Sequence, residues 1–339
     1  MTVAVGLMPV LVFLLALIYL DSYKLVRRRW VAGTLGAGCG LAVVCWMINA
    51  KLGSTLELSA TGYSRYLAPF VEEAAKGLAI VWLVRANRVG FLVDAAIYGF
   101  AIGTGFALVE NLYYWYSLDS PSVALWVVRG FGTAVMHGGT TAIFAIVGKT
   151  LSEVRGLPRG GGWAVGLLVA AAIHSAFNHF FLSPVMSTAL ILVVLPPLIF
   201  SVFRRSEKAL EAWLSVGFDA DTQVLEMILA GTISQSPVGA YLQSLKERFR
   251  GEVVADMLCL LRLHLELSLR AKGLLMMREA GFPATLDAAD KANLDELDYL
   301  ERSIGATGKL AMAPFLRTSS RDLWQIYMMK DETARSVAP

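Results

Sequence analysis

Residues Phe70-Val71-Glu72-Glu73-Ala74-Ala75-Lys76-Gly77-Leu78-Ala79-Ile80 set two carboxylates and an ammonium inside an otherwise apolar run from about residue 66 to 84. A run of that length crosses a bilayer, which takes roughly 20 helical residues. Each charge near the middle of such a helix costs about 2.5–3.5 kcal/mol. A chain carries three of them only if they have partners or a task. Lys76 follows Glu72 by one helical turn of four residues and Glu73 by three, so it can pair with either. One carboxylate is left in surplus, and that surplus points to chemistry.

The rest of the chain supplies a membrane setting. Of its 339 residues, 56% are hydrophobic. Residues 1–203 hold 13 Lys/Arg and 8 Asp/Glu, whereas residues 204–339 hold 17 and 19, so the first part reads as membrane and the second as soluble. Seven apolar runs stand out, near 3–20, 31–50, 66–84, 92–116, 123–148, 163–182 and 185–203. In the first of them the basic cluster follows the apolar residues instead of preceding them, which marks a span and not a signal peptide. The expected fold is all-α: a polytopic bundle of about seven transmembrane helices over 1–204, followed by a small soluble helical domain over 205–339.

Loop charge gives the orientation. Lys24 and Arg27 to Arg29 follow the first run, Arg85 and Arg88 the third, Lys149, Arg155 and Arg159 the fifth, and Arg204, Arg205 and Lys208 the seventh. The alternate loops hold Lys51 and Arg65 in one and no basic residue in the others. The positive-inside bias then places the N-terminus outside and the C-terminal domain in the cytoplasm of a plasma (inner) membrane. A net charge of +3 without a basic aromatic patch excludes nucleic acid as a partner. Cys39, Cys45 and Cys259 show no metal-ligand spacing and read as ordinary thiols.

Gly99, Ala101, Gly103, Gly105 and Ala107 make the fourth run one that a neighbouring helix can approach closely. Pro196-Pro197 is expected to break or kink the seventh. Beyond residue 206, apolar residues recur at helical spacing over 256–277 and 287–304, separated by Gly281-Phe282-Pro283. Shorter helices are expected near 207–216, 220–230, 237–249 and 320–329. His264 reads as a helix-face histidine. This domain is a candidate surface for a cytoplasmic partner or for self-association.

Further ionisable and amide groups lie inside the runs: Glu110 and Asn111 in the fourth, His137 in the fifth, His174 and Asn178 in the sixth. Such groups face a bundle interior or a watery cavity and are site candidates by default. His174 and Asn178 share one helix face. His179 points elsewhere and reads as interfacial. A carboxylate in an apolar pocket can act as general base on water, and histidines with an amide can hold that water or an oxyanion. Glu and His can also ligate zinc, with Glu110, His137 and His174 as the candidate ligands. The spacing is not His-Glu-x-x-His, so no cofactor is forced. At 1.5 Å per residue the two histidines come out about 7 Å apart in depth, which favours a protein-held water over tightly bound zinc.

Glu72-Glu73-x-x-Lys76, Asp94-x-x-x-Tyr98-Gly99, Phe106-x-x-x-Glu110-Asn111, His137 and His174-x-x-x-Asn178, in that order, resemble the PrsW family of intramembrane proteases over about residues 60–185. That family is distantly similar to the CAAX prenyl proteases and bacteriocin-processing enzymes. The resemblance implies cleavage of a single-span or membrane-anchored protein, an anti-sigma factor being one example. It implies that Glu72 or Glu73 activates water, that His174 with Asn178 holds the water or the oxyanion, and that Glu110 and His137 complete the site. The CAAX enzymes carry a histidine at the position like Glu110. The wider group includes enzymes described as metalloproteases and others described as glutamate-dependent, so zinc stays open. Two other readings of the same polar groups are a proton- or ion-coupled transporter and an inactive pseudoprotease that binds membrane partners.

Overall fold

A computed structural model describes residues 2–56, 59–119, 122–154, 158, 160–283, 285–316, 324–326 and 328–330. The chain divides into two compact units, Met1–Glu207 and Lys208–Pro339. Among the described residues there is helix and no strand.

In the first unit the helices are α1 (Thr2–Tyr19), α2 (Arg28–Thr55), α3 (Ala68–Arg85), α4 (Leu92–Ser117), α5 (Ala134–Ser152), α6 (Gly161–His179) and α7 (Pro184–Leu229), the last continuing into the second unit. Two of them are entered through a π turn, Tyr63–Leu67 before α3 and Val128–Thr133 before α5. Among the described residues, five helices are long and apolar enough to cross a membrane: 28–55, 92–117, 123–152 (α5 with the segment leading into it), 161–179 and 184–229. Val3–Tyr19 is apolar and shorter. Helix α3 has a span's length, but it carries Glu72, Glu73, Lys76 and Arg85.

Helix α4 is the centre of this unit, and its small residues explain why. A Cβ on Gly103 would lie 2.2 Å from the carbonyl oxygen of His137, and one on Gly105 would lie 1.9 Å from that of Leu35. Only hydrogen fits at either place, so α5 packs backbone to backbone on one side of α4 and α2 on the other. Val93 to Ala107 are consequently buried. At the start of α4, the Asp94 carboxylate accepts the backbone N–H groups of the N-cap residue Phe91 (2.8 Å) and of Gly90 just before it (2.6 Å), which ties the entering chain to the first turn.

Two sequence expectations need correction. Pro196-Pro197 does not end the seventh helix, and the short helices expected at 207–216 and 220–230 are its continuation in one 46-residue element. Each proline removes only its own N–H and crowds the turn before it, and the backbone leaves the helical region only after Leu229, with Gly231 at a φ of +72°. Arg155, Arg159 and half of the helix expected near 320–329 lie outside the described residues.

The second unit is built on α8 (Pro237–Leu245), α9 (Gly251–Glu279) and α10 (Ala288–Met312). Ser236 caps α8, its hydroxyl accepting Gly239 N–H at 3.1 Å. Asp287 and Asp290 form a reciprocal capping box at the start of α10. Buried Leu260, Leu267 and Leu274 of α9 and Leu294, Leu297 and Leu300 of α10 follow helical spacing and form the seam of this unit.

Candidate active site

The charged run of α3 lies near the start of that helix, Glu110 near the end of α4, His137 near the start of α5 and His174 near the end of α6. Helices that alternate in direction bring these four ends together. Gly103 seats the His137 backbone against α4, so the histidine is set at contact distance from the side chains of that helix.

Glu73 is the hub. Its Oε1 accepts from Lys76 Nζ (2.6 Å), His174 Nδ1 (2.9 Å) and Thr140 Oγ1 (3.1 Å), and its side chain is 1% exposed. With Nδ1 of His174 donating there, the lone pair of the neutral ring is on Nε2, which faces Glu72 Oε2 at 3.9 Å. Lys76 also donates to Nδ1 of His137 at 3.2 Å. An ammonium has only donors, so Nε2 of His137 carries the ring proton and gives it to Glu110 Oε2 at 2.6 Å. The two imidazoles meet edge to face with centroids 4.8 Å apart. Lys76 sits over the Phe106 ring at 4.7 Å, which adds a cation–π contact to a buried charge.

Adjacent Glu72 and Glu73 have opposite surroundings. Glu72 faces a cavity of about 370 Å³ lined also by Ala42, Trp46, Asn49, Phe106, Glu110 and Tyr113. Its Oε1 accepts from Asn49 Nδ2 at 3.2 Å, and Asn49 in turn accepts from the Tyr63 hydroxyl at 2.8 Å. Side chains of Glu72 and Glu110 are 16% and 27% exposed there.

Five of the six sequence candidates, Glu72, Glu73, Glu110, His137 and His174, are thus neighbours in one polar cluster. Asn178 is bonded elsewhere: its Nδ2 donates to the Ser64 carbonyl at 3.0 Å, tying the end of α6 to the π turn before α3. His179 bonds the Ser175 carbonyl at 2.7 Å and packs on Tyr66 and Phe181, apart from the cluster. His137 and His174, expected about 7 Å apart in depth on straight helices, are in contact. The π turn at Val128–Thr133 packs more residues into its turn than an α-helix, so counting residues overstates how deep His137 lies.

Arg129 was not legible as a site residue. On a regular α-helix it would stand about 2.2 turns, or roughly 80°, from His137. The intervening π turn changes that register, and both side chains reach Glu110, Arg129 at 3.0 Å. A basic residue inside the fifth apolar run was the available clue. Asn49, Tyr63 and Thr140 are ordinary polar residues of helices, and nothing in their spacing marks them.

The donors that converge are Glu72, His137 and His174, whose ligand atoms lie within 4.8 Å of one another; Glu72 takes the place expected for Glu110. Two imidazoles and a carboxylate are a catalytic zinc set. The bond from His174 Nδ1 to Glu73 is also how metal-bound histidines are oriented. In donor type and convergence the residues fit a divalent ion. Lys76 beside His137 is the neighbour that works against one.

A family model described as PrsW family intramembrane metalloprotease matches residues 26–202, just over half of the chain. No curated protein and no solved structure matches.

Proposed function

The chain belongs to the PrsW family of intramembrane metalloproteases, and from that membership we propose that it hydrolyses a peptide bond in or beside the membrane-spanning segment of another membrane protein, at the cavity that Glu72 and Glu110 line. The observation that carries the reading is Glu72 Oε2, a carboxylate on the wall of that cavity, opposite the buried His174 Nε2 at 3.9 Å. One water oxygen bridges two acceptors at that separation with bonds of about 2.8 Å. Such a water donates one hydrogen to Glu72 and the other to Nε2 of His174, which leaves its lone pairs for a scissile carbonyl in the cavity. Glu72 takes the proton as the C–O bond forms and returns it to the leaving nitrogen. Glu73 and Lys76 act by fixing His174 in the tautomer that accepts. Asn178 acts by position, through Ser64. A divalent ion held by Glu72, His137 and His174 would polarise the carbonyl and acidify the water.

The test is purified protein in detergent with a panel of single-span and membrane-anchored proteins. Wild type is expected to cut at least one of them. Glu72→Gln is expected to lose about 10³-fold or more in rate, with thermal unfolding unchanged. Cleavage by Glu72→Gln at the wild-type rate would overturn the assignment. Metal content and activity before and after a strong chelator decide the ion: stoichiometric zinc, with activity lost on chelation and regained on adding zinc, assigns it to the three converging ligands.

The membrane arrangement is part of the same proposal. Loop charge supports seven spans with the N-terminus outside and residues after 204 in the cytoplasm. A reporter fused after Arg205 is then cytoplasmic and one at Ser117 external, and the opposite labelling would reverse the orientation.

A further inference from the structure

We propose that Arg129 is a positioning residue for this hydrolysis, and that it works by fixing which way Glu110 turns. The proposal rests on the reading above. Arg129 lies in the π turn Val128–Thr133 and is buried. An arginine inside an apolar run is costly unless its donors are satisfied. Here Nε donates to Asn111 Oδ1 at 2.9 Å and a terminal nitrogen donates to Glu110 Oε1 at 3.0 Å. The guanidinium lies 3.7 Å from the centre of the Tyr114 ring. Asn111 is itself pinned, donating to the Gly6 carbonyl at 2.8 Å and to the Arg129 carbonyl at 3.5 Å. The guanidinium is therefore held from several sides before it meets Glu110.

The two oxygens of Glu110 are divided between two partners, Oε1 to Arg129 and Oε2 to His137. Glu110 also lines the cavity opposite Glu72. Without Arg129 this carboxylate can swing into the cavity, and two faults follow. His137 loses the acceptor that orients it, and with it the edge-to-face contact that braces His174. A second anion also enters the space where an oxyanion would develop. Both faults raise the barrier to hydrolysis more than they weaken substrate binding.

The experiment measures cleavage by Arg129→Gln, Arg129→Lys, Glu110→Gln and the double variant Arg129→Gln/Glu110→Gln, after wild type has been shown to cut and Glu72→Gln has not. Arg129→Gln is expected to lower kcat about 100-fold, the scale of a small misplacement at a reacting centre, with KM within about twofold. Arg129→Lys recovers only part, because an ammonium does not fork across Glu110 and Asn111 as a guanidinium does. The double variant is expected to be no worse than Glu110→Gln. A wild-type kcat in Arg129→Gln overturns the proposal, as does a double variant whose loss is the product of the two single losses. A second readout does not depend on turnover. In protein with ¹⁵N-labelled histidine, the His137 Nε2–H resonance, assigned with His137→Gln, is expected at a strongly hydrogen-bonded position. It moves away in Arg129→Gln and stays in Glu72→Gln. An unchanged resonance in Arg129→Gln rejects the positioning role even if no substrate is found. If Arg129→Gln does not fold, the same resonance in Arg129→Lys is read in its place: displacement supports the role and an unchanged position rejects it.

Discussion

Lys76 of the first unit and Lys272 of the second are both sealed inside protein against a carboxylate, Glu73 and Asp221. The two sites share their parts. Each lysine lies near an aromatic ring, Phe106 at 4.7 Å and Trp213 at 5.2 Å. Each carboxylate takes a hydroxyl, Thr140 at 3.1 Å and Ser268 at 2.7 Å. They differ in what is attached next. Glu73 and Lys76 each continue to an imidazole, and the imidazoles reach Glu72 and Glu110 on a cavity wall. Asp221 continues through Ser268 to the Gln325 amide, which donates at 3.0 Å. Hydroxyl, amide and indole do not exchange protons near neutral pH, whereas imidazole does. A buried ion pair is therefore weak grounds for a functional site. The first site is a candidate because its pair feeds imidazoles that meet Glu110 and Glu72, the two carboxylates lining the cavity.

Breaking either pair by halves is expected to give the largest effect on stability. Lys76→Met and Lys272→Met each strand a buried carboxylate and should cost about 3–5 kcal/mol, read from thermal or denaturant unfolding in detergent. Removing both charges separates the two regions. Asp221→Leu/Lys272→Met should regain wild-type stability, since apolar replacements of buried pairs are often neutral or stabilising, and should keep cleavage. Glu73→Leu/Lys76→Met should regain much of its stability and still fail to cut, because Nδ1 of His174 has lost its acceptor. Cleavage by this last variant at the wild-type rate would reduce the Glu73–Lys76 pair to a structural tie like the other.

The contrast also shows what the sequence could disclose. Continuous apolar runs are a strong signal, so the first six helices begin and end within about five residues of them, α5 being counted with the segment from 123 that leads into it. The glycines of α4 foretold close packing, and the structure adds which partner each serves. The ordered motifs brought Glu72, Glu73, Glu110, His137 and His174 together in advance. Which of two adjacent glutamates meets the cavity was not legible. Neighbours on a helix differ by about 100°, and only the packing of α3 against α2, α5 and α6 turns Glu73 inward. Arg129 was hidden by a π turn, which no hydrophobic pattern announces. The length of α7 was hidden because its apolar stretch ends near residue 203 while the backbone does not.

The hydroxyls give the finest test of the comparison. Thr140→Val and Ser268→Ala each delete one neutral donor to a buried carboxylate. Each should cost about 1 kcal/mol, the usual net worth of such a bond. Ser268→Ala should be the more destabilising, because the hydroxyl also receives the Gln325 amide and its loss strands that donor. On cleavage the order reverses. Glu73 without Thr140 still holds Lys76 and His174, but its Oε1 is less firmly placed, and His174 is aimed by that oxygen. Thr140→Val should therefore slow kcat by a few-fold, while Ser268→Ala leaves it at the wild-type value. Rates measured on purified protein at a temperature where both variants are fully folded decide the matter. Equal rates for the two would mean that Thr140 contributes only stability, and that Lys76 and His174 alone are enough to place Glu73.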